Sequence, residues 1–255
     1  PKAFGILMPM TNEQWQAFDS FRARFRERCA AWGTEAGGAA GWLATLQREA
    51  AEADANPEYP LETPIVYNHA LDAITREDAI ALIVVGDNPG KDEQLEKNRR
   101  YLVGQAGKLG DGIFRRNPEL GVNFRKNVII LNKTPIHTAK TKQLAYILKN
   151  GSTRFRAIFE DSQRWMARET MALRAALGCG LWLVGYAELR QNGLFAAYAD
   201  ELALHSTGGD DVRLFQHFSM NRFSIDLKER ADPSASLEEN LRRIGVAHRR
   251  EILGW

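Results

Sequence analysis

Four short apolar runs, spaced by longer stretches of helical patterning, constrain this chain more than any other feature. Residues 80–85 (IALIVV), 127–132 (NVIILN), 181–184 (LWLV) and 212–216 (VRLFQ) are rich in β-branched and large apolar side chains. Each has the length of a strand, and the first is apolar throughout, as suits a strand buried on both faces. Between them, residues 105–116, 155–177 and 188–204 carry apolar positions at helical spacing. Strand alternating with helix calls for right-handed crossovers and a mainly parallel sheet covered on both sides. The expected fold is α/β: a three-layer αβα sandwich with a mainly parallel four-stranded central sheet.

The N-terminal part, residues 1–63, reads as a helical extension packed on that sandwich within a single domain, 1–255. Trp15, Phe18, Phe21, Phe25, Cys29 and Trp32 recur at spacings of three and four behind a Thr11 cap. Arg22, Arg24, Arg26 and Arg28 surround this stripe and read as the solvated flank of a packed helix rather than a DNA contact. A second, alanine-rich helix is expected over 41–55, and Ser236 with Glu239 makes a capping box for a closing helix.

With 44% hydrophobic and 26% charged residues, the composition excludes a coiled coil and a disordered tail. The apolar run ahead of the first Gly-Asp-Asn-Pro-Gly glycine, 79–85, is far too short to span a bilayer, and no basic, apolar leader opens the sequence. No membrane partner is expected. Two cysteines, Cys29 and Cys179, cannot supply a four-cysteine metal or iron–sulfur site, nor a disulfide framework. His69, His137, His205 and His248 lack carboxylates or thiols at ligand spacing. The expectation is therefore a monomer in the cytoplasm without metal or other cofactor. A formal charge of +2 neither demands nor forbids a nucleic-acid partner.

In an open parallel sheet, ligands bind beyond the carboxyl ends of the strands. The first run is followed by Gly86, Asp87, Asn88, Pro89 and Gly90; the second ends in Asn132; the fourth leads into His217, Phe218, Ser219, Met220, Asn221 and Arg222. Two amides, a carboxylate and an imidazole thus converge on one edge. The first segment is not a Walker loop, because only three residues separate Gly86 from Gly90-Lys91 and Asp92 follows. Taken singly, each element is an ordinary turn or a satisfied polar residue; their shared edge makes a site.

These segments, over about 64–222, resemble the uracil-DNA glycosylase superfamily. Gly86-Asp87-Asn88-Pro89-Gly90 is similar to its first catalytic motif, with Asn88 as in the mismatch-specific and single-strand-selective branches and Asp87 where the iron–sulfur branch is acidic. Residues 101–109 (YLVGQAGKL) resemble the PFVGxAGxLL segment of that last branch. Residues 128–132 resemble the strand ending in a base-reading asparagine, and residues 217–222 the second catalytic motif, usually His-Pro-Ser with a DNA-inserting loop.

The resemblance implies a monofunctional glycosylase that flips uracil, or a related deaminated base, out of DNA. Asn132 reads the base, and His217 as a neutral donor stabilises charge on its O2. Asn88 or Asp87 positions or activates the attacking water. Gly86, Pro89 and Gly90 belong to the loop that approaches flanking phosphates, with Ser219 adding a phosphate contact. Arg222 grips the backbone or fills the gap, and Met220 or Arg222 takes the place of the usual apolar wedge near Asn221. The aromatic platform falls at Leu102, so either Tyr101 moves into that role or the floor is aliphatic. Phe218 replaces the motif's proline, and the missing cysteines exclude the cluster. The other expectation is a binding protein for DNA or a nucleobase on the same fold, without catalysis.

Overall fold

The computed structural model describes residues 7–206 and 212–255; of the expected unit 1–255, residues 1–6 and 207–211 lie outside them. Four parallel strands form the centre: β1 (Leu82–Gly86), β2 (Val128–Asn132), β3 (Gly180–Val184) and β4 (Val212–Phe215), in the order β2-β1-β3-β4. All residues of β1 and β2 are buried, as they must be when helices cover both faces, and the architecture is a three-layer α/β sandwich. The order reverses between β1 and β3, so the crevice that such sheets use for ligands opens at their carboxyl ends. Register pairs Gly86 with Asn132, which brings the ends of β1 and β2 level.

The helices are α1 (Asn12–Glu35), α2 (Trp42–Ala53), α3 (Gln105–Arg116), α4 (Gln143–Asn150), α5 (Thr153–Leu177), α6 (Ala196–Leu204), α7 (Arg222–Arg230) and α8 (Leu237–Leu253). Thr11 caps α1 in a reciprocal box with Gln14, and the stripe Phe18, Phe21, Phe25, Cys29 and Trp32 is buried. That stripe packs on α5: Phe25 stacks on Trp165 at 5.6 Å and Trp32 meets the same ring edge-on at 5.9 Å. Each such ring contributes about 1.5–3 kcal/mol by leaving water. The four flanking arginines each pair with a carboxylate: Arg22 with Asp19, Arg24 with Glu169, Arg26 with Asp72 and Arg28 with Asp161. Ser236 and Glu239 form the capping box of α8, which lies against β4.

Three departures from the sequence reading have local causes. The stretch 188–204 is not one helix, because the chain turns tightly at Gly193, whose amide donates to the Arg190 carbonyl, and α6 starts only at Ala196. Helices α4 and α7 were not expected; neither begins with a capping side chain, and α7 springs directly from Asn221 at φ +55°. The first strand begins at Leu82 and extends to Gly86, two residues later than the apolar run. No described helix is long and apolar enough to cross a membrane.

Candidate functional site

The loops after β1, β2 and β4 meet around one cleft of about 570 Å³, whose walls include Asp87, Asn88, Gly90, Leu102, Asn132, His217, Ser219 and Met220. Residues 104–106 at the start of α3 and 138–141 ahead of α4 complete it.

Asn132 is the last residue of β2 and is 1% exposed. Its Nδ2 is buried with no hydrogen-bond partner. Leaving such a donor unpaired costs roughly 1–3 kcal/mol. The bare Cα of Gly86 lets the carboxamide lie close: a Cβ there would stand 2.7 Å from Asn132 Oδ1. Gly86 thus shapes the site from beneath rather than lining it.

His217 follows β4 by two residues. The Ser219 backbone N–H donates to its Nδ1 at 3.1 Å, and the Ser219 Oγ lies 2.7 Å from the same nitrogen. An Nδ1 that accepts leaves the proton on Nε2. Burial lowers the pKa of the imidazole, against the pull of Asp87 and with the help of Lys133, so His217 is neutral near pH 7. Ser219, which also lines the cleft, sets the tautomer of His217.

Asp87 Oδ1 receives the ammonium of Lys133 at 2.5 Å, and its other oxygen carries no hydrogen bond from the described residues. Asn88 is more fully committed. Its Nδ2 donates to Thr138 Oγ1 at 2.8 Å and to the Ile136 carbonyl at 3.1 Å, while its Oδ1 accepts from Thr141 Oγ1 at 3.0 Å. Asn88 therefore braces the 136–141 loop, and of the two candidates for holding a water Asp87 has the freer oxygen.

The floor is aliphatic. Tyr101 is 1% exposed and turned into the core, where its hydroxyl donates to the Val66 carbonyl at 2.5 Å, so it does not reach the cleft. Leu102 does, in the left-handed region at φ +52°. Such backbone is strained for a branched side chain and persists only when surroundings impose it. Arg125 Nη2 grips the Leu102 carbonyl at 2.6 Å, and Gly107 packs so tightly that a Cβ would lie 1.5 Å from that oxygen.

Three other expected residues stand away from the cleft. Pro89 faces inward, its carbonyl accepting from His137 Nδ1 at 2.9 Å and from the Thr138 amide at 3.2 Å. Asn221 lines a neighbouring groove with Ser224 and Lys228, and Arg222 is exposed as the first residue of α7. Met220 stands at the rim, 80% exposed, at φ +53° beside Asn221 at +55°. Phe218 turns fully inward onto Phe124 and Phe223, which keeps the loop anchored without the proline.

Two charged residues escaped the sequence reading. Lys133 has a fully buried side chain. Glu93 is 7% exposed, accepts from the Gly90 amide at 3.2 Å, and is pushed by burial up to about 7. Neither belongs to a metal set: no group of three or more His, Cys, Asp or Glu that could hold a metal ion occurs among the described residues. Comparison of the chain with protein-family models, with curated proteins and with solved structures found no match in any of the three.

Proposed function

We propose that this chain is a DNA glycosylase that hydrolyses the N-glycosidic bond of uracil or a related deaminated base flipped out of DNA. The observation that carries the reading is the unpaired, buried amide of Asn132 sharing one cleft with the Nε2–H edge of His217. A carboxamide whose Nδ2 has no partner within the protein suits a lactam edge: Nδ2 would donate to a ring carbonyl and Oδ1 accept the adjacent N–H. Uracil offers that pattern and cytosine reverses it, which would leave buried groups unpaired.

Cleavage places negative charge on the leaving base and positive charge on the sugar. The His217 Nε2–H stabilises the first at the base O2, as an oxyanion-hole donor does. Asp87 offsets the second and orients the attacking water through its unbonded oxygen. Leu102 supports the base from one side, and Met220 at the rim occupies the space that the base leaves in the duplex.

A catalytically inactive binding protein on the same fold is favoured by two observations, the aliphatic floor at Leu102 and the committed amide of Asn88. Single-turnover excision separates the readings. His217→Ala should slow release of uracil by roughly a hundredfold or more, while DNA affinity, carried mainly by phosphate contacts, falls far less. Wild-type protein that binds uracil-containing DNA tightly yet leaves no abasic sites would defeat the enzyme reading.

A further inference from the structure

Lys133 occupies a place where an ammonium is costly. Its side chain is fully buried, and its Nζ is shared among Asp87 Oδ1 at 2.5 Å, the Val184 carbonyl at 2.9 Å, the Gly185 carbonyl at 3.1 Å and the Gly86 carbonyl at 3.5 Å. The Phe195 ring lies 5.3 Å from the same nitrogen. Lys133 therefore ties the ends of β1 and β3 together across the crevice at the reversal of strand order. Buried ion pairs are poor sources of stability, since apolar residues of similar volume often serve as well. The placement points to a task at the site.

That task concerns Asp87. Gly185 has φ +86°, and a Cβ on it would lie 2.7 Å from Asp87 Oδ1 and 2.9 Å from Oδ2. The left-handed turn after β3 thus receives the carboxylate against a bare Cα, while Lys133 holds Oδ1. Asp87 is clamped from two sides. Among the described residues, the charges that bear on His217 are Asp87 after β1 and Lys133 after β2, both at the same cleft edge; Glu188, after β3, bears on Lys133.

We propose that Lys133 is a positioning residue, which holds Asp87 as a fixed anion beside His217 and thereby keeps the imidazole a neutral Nε2–H donor toward the cleft. With both charges present the pair is neutral. Without Lys133, one negative charge faces His217 and draws a proton onto Nδ1, displacing the Ser219 N–H. Without the Asp87 charge, Lys133 repels that proton for as long as its carbonyl partners keep it an ammonium. The consequence for base excision rests on the glycosylase reading; the coupling of the three side chains does not.

The test is an NMR titration of the His217 ring in the full chain, for wild type, Lys133→Met and Asp87→Asn. The midpoint should move up in K133M and down in D87N. Excision by K133M should fall at pH 6 by about tenfold or more relative to its rate at pH 8, beyond any such fall in wild type. D87N retains the buried lysine and keeps the test available if K133M does not fold. Opposite midpoint shifts uphold the proposal even if wild type excises no base, an outcome that would sink the glycosylase reading alone. Midpoints equal to wild type in the folded variants would overturn it and leave Lys133 as a tie between strand ends.

Discussion

Replacing Asn132 by leucine should remove function while sparing, or raising, stability. The side chain is 1% exposed and its Nδ2 has no partner in the free protein. Relief of that unpaired donor is worth roughly 1–3 kcal/mol. Against it stands the larger methyl group that leucine brings toward Gly86, a crowding of about 1 kcal/mol. The balance is a change between zero and about +2 kcal/mol, and for a chain of this size each kcal/mol moves Tm by roughly 2–4 °C. Calorimetry of Asn132→Leu should therefore show an unchanged or slightly higher Tm. If the protein is the proposed glycosylase, uracil excision by the same sample should drop at least about a hundredfold, since the lactam edge loses both partners. A fall in Tm of more than about 5 °C would instead make Asn132 a satisfied structural amide rather than an unpaired donor.

Other perturbations have definite signs. His137 is fully buried, its Nδ1–H bonded to the Pro89 carbonyl and its Nε2 accepting from the Tyr59 hydroxyl, and burial lowers it to about 4. A lowered histidine contributes stability that is whole above its unfolded value near 6.5 and is lost as pH falls toward 4, here up to about 3 kcal/mol. Urea unfolding across that range should show the loss, with a shallower dependence in His137→Gln; equal slopes would contradict the assignment. Gly107→Ala forces a Cβ to 1.5 Å from the Leu102 carbonyl, which no side-chain movement can absorb, and should cost about 3 kcal/mol or more. Gly33→Ala in α1 meets nothing within 4 Å and should gain up to about 1 kcal/mol in the same urea assay.

What could be read in the sequence was local. Residues 128–132 are apolar up to their final asparagine and pair only as a buried strand, and Thr11 with Gln14 announces the start of α1 through its own capping bonds. The convergence of Asp87, Asn132 and His217 followed from parallel strands alone, because that topology sends every strand end to one edge. The rest depends on tertiary geometry. Tyr101 and Leu102 are neighbours, and which of them meets the cleft is decided by the left-handed backbone at Leu102 that Arg125 and Gly107 enforce. Lys133 and Glu93 look like surface charges in the sequence, since burial of a charge becomes tolerable only once carbonyls and amides from other segments surround it. Asn221 and Arg222 sit next to the rim residue Met220, yet at the turn into α7 Asn221 opens on the neighbouring groove and Arg222 is no part of the cleft wall.

If Asn132 and His217 read and release a flipped lactam base, abasic-site formation by wild-type protein on oligonucleotides that differ in one base is the measurement that shows it most plainly. Uracil, hypoxanthine, xanthine and mismatched thymine would be compared with cytosine at the same position. Abasic sites are expected from uracil or another deaminated base and none from cytosine, whose donor and acceptor are reversed at the Asn132 amide. No abasic sites from any of these substrates, or equal release of uracil and cytosine, would contradict that reading.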